Sequence, residues 1–369
     1  MTWLSLSMAH VFFPVLLSKG SLPLTSLDLT TLGWDDTFAA ELPAGSIPGK
    51  IARVHSSGAV VIVDGHEQHI EYSSRITLPC VGDWVAVRDG AILTVLPRRT
   101  ALVRGGVAED SLSQTLASNV DVIFVVEPSS LEGRRGDPNL GRIERLLALA
   151  WESGAMPVVL LTKSDLVGER IGEIVSNVMG AAPGVDVHPV CSVTGDGVDI
   201  VASYLGVGRT AVLVGPSGAG KSTLVNALAE DEVMETQQVR ASDGRGRHTT
   251  VHRELFVLPR GGLIIDTPGV RRVSLAAGGE GLESVFTDIE EIAENCRFDD
   301  CAHIGEPGCA VIEAIETGEL PQRRLDSWFK LNREAEWVAS RTDARLRQER
   351  DRRWKVIHKE MRRSGRNRP

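Results

Sequence analysis

The sequence predicts a multi-domain fold: an N-terminal OB-fold β-barrel, a central α/β domain of the P-loop type and a C-terminal zinc-binding helical domain. Three observations predict it. Short alternating strands fill residues 49–97, apolar strands alternate with helices from about residue 100 to residue 277, and cysteines cluster in a polar stretch at residues 296–309. A chain of 369 residues with 42% apolar and 24% charged residues has ordinary globular composition and fits two or three domains.

The expected boundaries follow these changes in pattern. Residues 1–45 are an N-terminal extension, 46–98 the OB-fold domain, 99–277 the P-loop domain, and 278–369 the zinc-binding and helical domain with a basic tail. The extension starts with an apolar stretch at residues 3–17, but no Lys or Arg precedes it and Pro14 interrupts it. We therefore expect a poorly ordered start with Met8 as an alternative initiator, no contact with a membrane, and a cytoplasmic location.

Five short strands in about fifty residues, separated by turn residues such as Asp64-Gly65 and Asp89-Gly90, predict the small barrel. OB-folds commonly bind oligonucleotides, and few aromatic side chains are present here for base stacking. We therefore expect contacts with the backbone and shape of a folded RNA. A barrel that only braces the next domain is the alternative.

A glycine-rich loop carries the most chemistry. It follows a β-type run at residues 210–214, precedes a helical run at residues 223–229 and fits the phosphate-binding pattern G-x-x-x-x-G-K-S. Its residues are Gly215, Pro216, Ser217, Gly218, Ala219, Gly220, Lys221 and Ser222, and Thr223 follows them. Backbone N–H groups and the helix N-terminus would surround phosphate oxygens, with the ammonium of Lys221 on the β- and γ-phosphates and the hydroxyl of Ser222 on Mg²⁺. The alternative is an ordinary glycine-rich turn.

A second phosphate-side motif, D-T-P-G, runs from Asp266 to Gly269 after the apolar run at residues 262–265. The carboxylate of Asp266 would hold Mg²⁺ through water, and the N–H of Gly269 would face the γ-phosphate. A D-x-x-G sequence by itself is a common turn. Its position after a second buried strand favours the functional interpretation.

Two further segments have the composition of a guanine-reading site. The first is Thr162, Lys163, Ser164 and Asp165 at the end of a strand, and the second is Cys191 and Ser192 after the next strand. A carboxylate at Asp165 accepts from both N1–H and the exocyclic amine of guanine, whereas adenine would leave it unpaired. The backbone at Cys191 and Ser192 would reach the base oxygen. GTP is therefore favoured, and an ATPase is the alternative.

The order of these motifs is itself informative. The base-reading segments precede the phosphate-binding loop, and the D-T-P-G motif comes last. This order indicates a circularly permuted GTPase domain, in which the γ-phosphate contact at Gly269 lies close in sequence to the C-terminal region.

A metal-binding pattern follows. Cys296, Cys301, His303 and Cys309 supply three thiols and one imidazole within 14 residues, which is enough for a closed tetrahedral zinc site of the structural kind. The alternative is a set of buried core thiols, but the polar neighbours of these residues could not form a core. The other cysteines, Cys80 and Cys191, are isolated, so we expect no disulfide.

Together with the segment G-R-G-R-H-T-T at residues 244–250 and the barrel-like stretch, these motifs resemble the RsgA (YjeQ/EngC) family of small ribosomal subunit biogenesis GTPases over about residues 33–340. The resemblance implies a monomer that binds GTP or GDP, contacts the 30S subunit and its 16S rRNA, and hydrolyses GTP in a ribosome-stimulated manner late in subunit maturation. Val270 stands where many GTPases place a water-orienting glutamine. In this family a histidine of the first switch segment is implicated instead, and His248 matches it.

Two points stay open in the sequence. One hydroxyl of Thr249 or Thr250 is expected to reach Mg²⁺, and we favour Thr250. From residue 341 to the end, 12 Lys or Arg face four Asp or Glu although the whole chain carries −9, so the tail is either an RNA contact or a solvated amphipathic helix. A zinc-containing RNA- or ribosome-binding module with a vestigial nucleotide site is the alternative function.

Overall fold

The computed structural model describes residues 28–55, 57–71, 77–104, 114–129, 137–234, 253–266 and 280–342. Most of the predicted N-terminal extension, His248, Thr249, Thr250, Gly269 and nearly all of the basic tail lie outside these ranges. In the described residues, no helix is both long and apolar enough to cross a membrane.

Five antiparallel strands form the N-terminal unit. They are β1 (Ile47–Val54), β2 (Gly58–Val63), β3 (His66–Glu71), β4 (Trp84–Arg88) and β5 (Ala91–Val95). Strand β1 pairs with β2 and β4, β2 pairs with β3, and β4 pairs with β5, while β3 and β5 approach each other. The sheet therefore curls around an apolar core that includes Ile51, Val61 and Val85. A short helix α1 (Asp36–Ala40) places Phe38 against Trp84.

The central sheet is mostly parallel. Its strands are β8 (Val122–Pro128), β9 (Met156–Thr162), β10 (Asp186–Val190), β11 (Thr210–Val214), β12 (Glu254–Val257) and β13 (Leu263–Asp266). The order across the sheet is β10-β9-β8-β11-β13-β12, with only β12 antiparallel to its neighbour. Between β5 and β8, a separate two-stranded sheet joins β6 (Ala101–Arg104) to β7 (Gln114–Ser118). The helices of this region are α2 (Leu140–Glu152), α3 (Ile171–Met179), α4 (Val198–Ser203) and α5 (Lys221–Ala229).

These elements follow from the sequence pattern. Every residue of β8 and β11 is buried, as expected for strands covered by helices on both faces. Strand β12 also pairs with β1 through Arg53 and Glu254, so the N-terminal strands and the central strands form one continuous sheet. The two guanidinium nitrogens of Arg53 lie 3.2 Å from Glu254 and 2.9 Å from Glu67, across that junction.

The C-terminal region is helical. Its helices are α6 (Glu280–Val285), α7 (Thr287–Ala293), α8 (Ala310–Thr317) and α9 (Gln322–Thr342). Helix α6 packs directly on α2, since a Cβ added to Gly281 would lie 2.1 Å from the carbonyl oxygen of Ala148. Helix α9 contacts the same helix, so α2 separates the central sheet from the C-terminal helices.

Candidate functional site

The glycine-rich loop lies at the carboxyl end of β11, where parallel α/β sheets bind ligands. Gly215, Gly218 and Gly220 have φ values of 155°, 78° and 85°, a region that L side chains rarely adopt. A Cβ on Gly215 would lie 2.1 Å from the carbonyl oxygen of Val126 on β8. The first glycine is therefore required by packing as well as by backbone conformation.

Lys221 begins α5 and turns back over this loop. Its ammonium nitrogen donates to the carbonyl oxygens of Gly215 at 3.0 Å and Pro216 at 2.7 Å. Ser222 and Thr223 follow in the first turn of the helix, both half-buried. The cation thus sits across the loop, and phosphate oxygens would replace its carbonyl partners if a nucleotide bound there.

The base-reading segment reaches the same loop. The hydroxyl of Thr162, buried at the end of β9, donates to the carbonyl oxygen of Ala219 at 2.6 Å. Lys163 then adopts a left-handed conformation, with φ of 57°, and Ser164 and Asp165 form a short 3-10 turn. A direct hydrogen bond therefore joins the T-K-S-D segment to the phosphate-binding loop, although 57 positions separate the two residues in sequence.

The second base-reading segment follows β10, which pairs in parallel with β9. The thiol of Cys191 donates to Oδ1 of Asp165 at 3.2 Å. The backbone N–H of Cys191 donates to the carbonyl oxygen of Asp196, and the N–H of Gly195 donates back to the carbonyl oxygen of Cys191. Ser192 lies half-buried in this turn. The structure thus brings Asp165, Cys191 and Lys221 to one edge of the sheet.

Asp266 ends β13, the strand that pairs in parallel with β11 on the other side. Its carboxylate lies one strand away from the glycine-rich loop and is half-exposed. The remaining predicted residues of this side, His248, Thr250 and Gly269, belong to segments that the described ranges do not include. Their predicted roles stay predictions.

The sequence analysis missed one pair beside the loop. Glu127, near the end of β8, is 2% exposed and accepts from Arg142 on α2 at 2.8 and 2.5 Å. The N–H of Asn139, the N-cap residue of α2, also donates to it at 3.1 Å. The Glu127 hydrogen bond raises the pKa of Arg142, so the guanidinium stays charged. A single acid at the end of an apolar strand was the only available signal.

The four predicted metal ligands lie together. Their ligand atoms all fall within 4.8 Å of one another. The sulfur of Cys296 lies 4.0 Å from that of Cys309, and Nδ1 of His303 lies 3.7 and 3.5 Å from these two sulfurs. A tetrahedral zinc ion has ligand-to-ligand distances of roughly 3.6–3.8 Å, so the cluster fits zinc.

The surroundings of the cluster also suit a cation. Burial lowers the pKa of His303, which favours the neutral ring that a metal needs. Burial raises the pKa of Cys301 to about 12, and a bound divalent cation would oppose this because it stabilises thiolates. Burial also raises the pKa of Cys309, although this residue is the N-cap of α8, where the helix dipole favours a negative sulfur.

Comparison with known proteins gives a consistent result. The RsgA GTPase family model matches residues 95–276. A small ribosomal subunit biogenesis GTPase RsgA from Streptomyces coelicolor is 47% identical over 91% of this chain and 93% of its own length. One from Methanosarcina acetivorans is 37% identical over 85% of this chain and 87% of its own.

Two solved structures share the fold. YjeQ from Thermotoga maritima superposes with a TM-score of 0.57 at 25% identity, covering 78% of this chain and 97% of its own. YloQ, described as a circularly permuted GTPase, gives 0.54 at 23% identity over 82% of this chain and 96% of its own. The permuted motif order predicted from the sequence therefore agrees with the fold of these proteins.

Proposed function

Because this chain belongs to the RsgA family of GTPases and is a GTP hydrolase of ribosome biogenesis, we propose that it binds the 30S subunit late in assembly and hydrolyses GTP faster when bound. The 30S part of this proposal is supported by the relatives' name, small ribosomal subunit biogenesis GTPase. The observation that supports the nucleotide site is the hydrogen bond from Thr162 to Ala219. That contact ties the segment that would read guanine to the loop that would hold its phosphates.

We assign the nucleotide site as follows. Asp165 pairs with guanine, the turn at Cys191 and Ser192 approaches the base oxygen, and Lys221 neutralises the phosphates. Ser222, Thr250 and Asp266 would hold Mg²⁺, which supplies charge neutralisation at the β- and γ-phosphates. Glycines and N–H groups of the loop from Gly215 to Thr223 would surround those phosphates.

We assign the orientation of water to His248, since Val270 cannot hydrogen-bond to it. The N–H of Gly269 would contact the γ-phosphate. Replacement of His248 by alanine should lower hydrolysis and spare GTP binding. Unchanged turnover would remove His248 from the mechanism.

We assign zinc to Cys296, Cys301, His303 and Cys309 as a structural ion, because these four ligands leave no open position. We also assign β1–β5 to an OB-fold, on the pairing of β1 with both β2 and β4 and the approach of β3 to β5. This barrel and the basic tail at residues 341–369 would contact 16S rRNA, in a cytoplasmic monomer.

We infer that nucleotide state reaches the C-terminal helices through α2. Arg142 on this helix binds Glu127 beside the glycine-rich loop, and Glu144 on the next half-turn binds Arg324 on α9. A structural change at the phosphate loop would therefore reach α9 through the two ion pairs that α2 makes, one with Glu127 and one with Arg324. Equal 30S affinity with GDP and with a non-hydrolysable GTP analogue would contradict this coupling.

The test of the proposed function is a GTPase assay with and without purified 30S subunits. GTP hydrolysis by the wild type should be faster with 30S subunits than without them. Lys221→Ala should hydrolyse no GTP in either condition, because the phosphate-binding cation is gone. Co-sedimentation with 30S measures binding separately. If the wild-type protein binds 30S subunits but hydrolyses no GTP with or without them, the alternative function, an RNA- or ribosome-binding module with a vestigial nucleotide site, is correct. If ATP competes equally with GTP, the guanine assignment at Asp165 fails.

A further inference from the structure

A polar cavity lies between the glycine-rich loop, α2 and α9. Its volume is about 500 Å³, which is within the usual range for small-molecule sites. Three cationic side chains line it: Arg142 and Arg145 come from α2, and Lys330 comes from α9. Among the residues that the structure describes, no Asp or Glu lines this cavity. Its walls therefore have the electrostatic character of an anion site.

The three cations keep hydrogen-bond donors that are not in use. Glu127 accepts from Nε and Nη2 of Arg142, and Nη1 has no acceptor in the described part of the chain. Glu334 accepts from Nη2 of Arg145, which leaves Nε and Nη1 of that guanidinium without a described acceptor. Lys330 is exposed and forms no hydrogen bond or ion pair with any described residue. An oxyanion in the cavity can therefore accept from these groups without displacing either carboxylate.

The cavity borders the end of the loop that faces the β- and γ-phosphates. Gly215, Pro216 and Ser217 form one of its walls. The ammonium of Lys221, the group expected at the β- and γ-phosphates, lies 3.0 Å from the carbonyl oxygen of Gly215 and 2.7 Å from that of Pro216. Hydrolysis of GTP frees the γ-phosphoryl group as inorganic phosphate. This product is therefore formed next to the cavity wall.

The chemistry of the cavity fits that product. Inorganic phosphate is a compact anion with four acceptor oxygens, and guanidinium groups bind such oxygens in a planar fork. Asn139 and Gly141, at the N-terminus of α2, also line the cavity. The positive end of the dipole of this 13-residue helix therefore adds to the charge of the three side chains.

We infer that this cavity binds inorganic phosphate, the second product of GTP hydrolysis, and that Arg142, Arg145 and Lys330 hold it after it leaves the glycine-rich loop. This inference rests on the proposed nucleotide site and adds a product site to it. Because Lys330 belongs to α9, bound phosphate joins this helix to α2 until the phosphate is released.

The experiment titrates inorganic phosphate into the full chain saturated with GDP and Mg²⁺, and follows binding by isothermal titration calorimetry. Saturation with GDP keeps phosphate out of the α- and β-phosphate positions of the loop. The wild type should bind one phosphate per chain. Lys330→Met should weaken phosphate binding about 5- to 20-fold, because a charged donor to the anion is lost. Lys330→Arg keeps the charge, so its phosphate affinity should stay within about 3-fold of the wild type.

Arg260→Met is the matched control. Arg260 is an exposed cation that binds Asp199 and Glu230 and does not line the cavity, so its loss should leave phosphate affinity unchanged. GDP affinity is measured in parallel, and Lys330→Met should change it less than about 2-fold.

Four results would overturn the inference. If GDP-loaded wild type binds no phosphate, or if Lys330→Met binds it as tightly as the wild type, the cavity is not a phosphate site. If Lys330→Met weakens GDP and phosphate by the same factor, Lys330 acts on the nucleotide site as a whole. If the wild type does not bind GDP, the proposed nucleotide site fails and the product site fails with it. The initial GDP titration distinguishes this last result from the others.

Discussion

At the scale of single residues, Thr162 joins the base-reading segment to the glycine-rich loop. It is the last residue of β9, it is buried, and its hydroxyl donates to Ala219 within the glycine-rich loop. A valine at this position would have the same shape and no donor. The carbonyl of Ala219 would then lose its partner beside the phosphate-binding N–H groups, which costs about 1–3 kcal/mol when a buried polar group is left unsatisfied.

We therefore expect Thr162→Val to weaken both GDP and GTP by about 5- to 50-fold, because the loop geometry that surrounds the phosphates is less well fixed. Isothermal titration calorimetry measures this loss. Thr94→Val is the control, since Thr94 lies exposed on β5 and its hydroxyl contacts only the adjacent carbonyl of Val95. Equal affinities in the two variants would refute the role of Thr162.

The site residues that the sequence could predict are those whose chemistry is local. The loop around Lys221, the carboxylate of Asp165 and the four predicted metal ligands each belong to a short pattern with a defined spacing. Glu127 does not. Its burial depends on Arg142, 15 positions away on another element, and no local pattern records that pairing. The thiol contact of Cys191 was missed for the same reason, because it joins the ends of two strands.

At the scale of elements, the main junction lies between α2 and the C-terminal helices. Arg324 on α9 is completely buried. It donates to Glu144 on α2 at 2.8 Å and to Asp288 on α7 at 2.9 and 2.5 Å. It also donates to the carbonyl oxygens of Val285 and Ala181. A buried charge that is satisfied on every side fixes how three helices meet.

Arg324→Met should lower the free energy of unfolding by about 3–5 kcal/mol, because the buried carboxylate of Glu144 loses its buried cationic partner and keeps only Arg323 and Ser327, while Asp288 loses both of its bonds from Arg324. Urea denaturation followed by tryptophan fluorescence measures it. Arg323→Met is the matched control, since Arg323 also binds Glu144 but its side chain is 40% exposed and solvent screens the pair, so its loss should cost less than the loss of Arg324. A double variant with Glu144→Gln should recover part of the loss. A loss below 1 kcal/mol in Arg324→Met would contradict the assignment.

The sequence patterns predicted the bounds of single elements but not the contacts between elements. Strand β11 begins and ends where the apolar run at residues 210–214 predicts, since a fully buried parallel strand has a continuous hydrophobic signal. The pairing of β1 with β12 was not predicted, because Arg53 and Glu254 are 201 positions apart and edge pairing leaves no local mark. The separate helices of residues 280–342 were likewise predicted only as a helical region.

At the scale of the whole molecule, the cluster of four predicted metal ligands contacts the C-terminal helices. The ring of His303 packs edge-on against Trp328 of α9, with centroids 5.8 Å apart. The indole N–H of Trp328 donates to Glu290 on α7. Loss of a structural ion should therefore loosen α7, α8 and α9 together.

We expect one zinc ion per chain by elemental analysis, and its removal with a chelator should change Trp328 fluorescence and make residues 280–342 sensitive to trypsin. Cys309→Ser should reproduce this state, because one thiolate ligand is gone. Cys80→Ser, at a buried cysteine outside the cluster, should keep the zinc content of the wild type. A fully zinc-loaded Cys309→Ser protein would contradict the ligand assignment.

A buried lysine links the N-terminal strands to the central sheet. Lys50 on β1 is 1% exposed, and its ammonium lies 4.7 Å from the centre of the Trp84 ring. Burial lowers the pKa of Lys50 from 10.5 to about 8, and nearby Asp83, Asp121 and Cys80 oppose this shift while Arg99 adds to it. Asp121 in turn accepts from the backbone of Thr210 on β11, so the lysine faces groups from both parts of the molecule.

The sign of the pH effect follows from this lowered pKa. Below pH 8 both folded and unfolded chains hold the proton, and the full cost of burying the charge is present. Between about pH 8 and 10.5 the unfolded chain holds a proton that the folded chain has released, so the contribution of Lys50 to stability improves as pH rises. Replacing Lys50 by an apolar residue of similar length removes this pH dependence of stability.

Lys50→Met should therefore be more stable than the wild type at pH 7, by about 3 kcal/mol at most, and this advantage should shrink steadily between pH 8 and 10. Urea unfolding at pH 7, 8.5 and 10 measures the difference. Lys330→Met, at an exposed position on α9, is the control and should show no such trend. A difference that stays constant with pH would mean that Lys50 keeps its proton in the folded protein, and that its contacts with Trp84 and Asp83 outweigh the cost of burial.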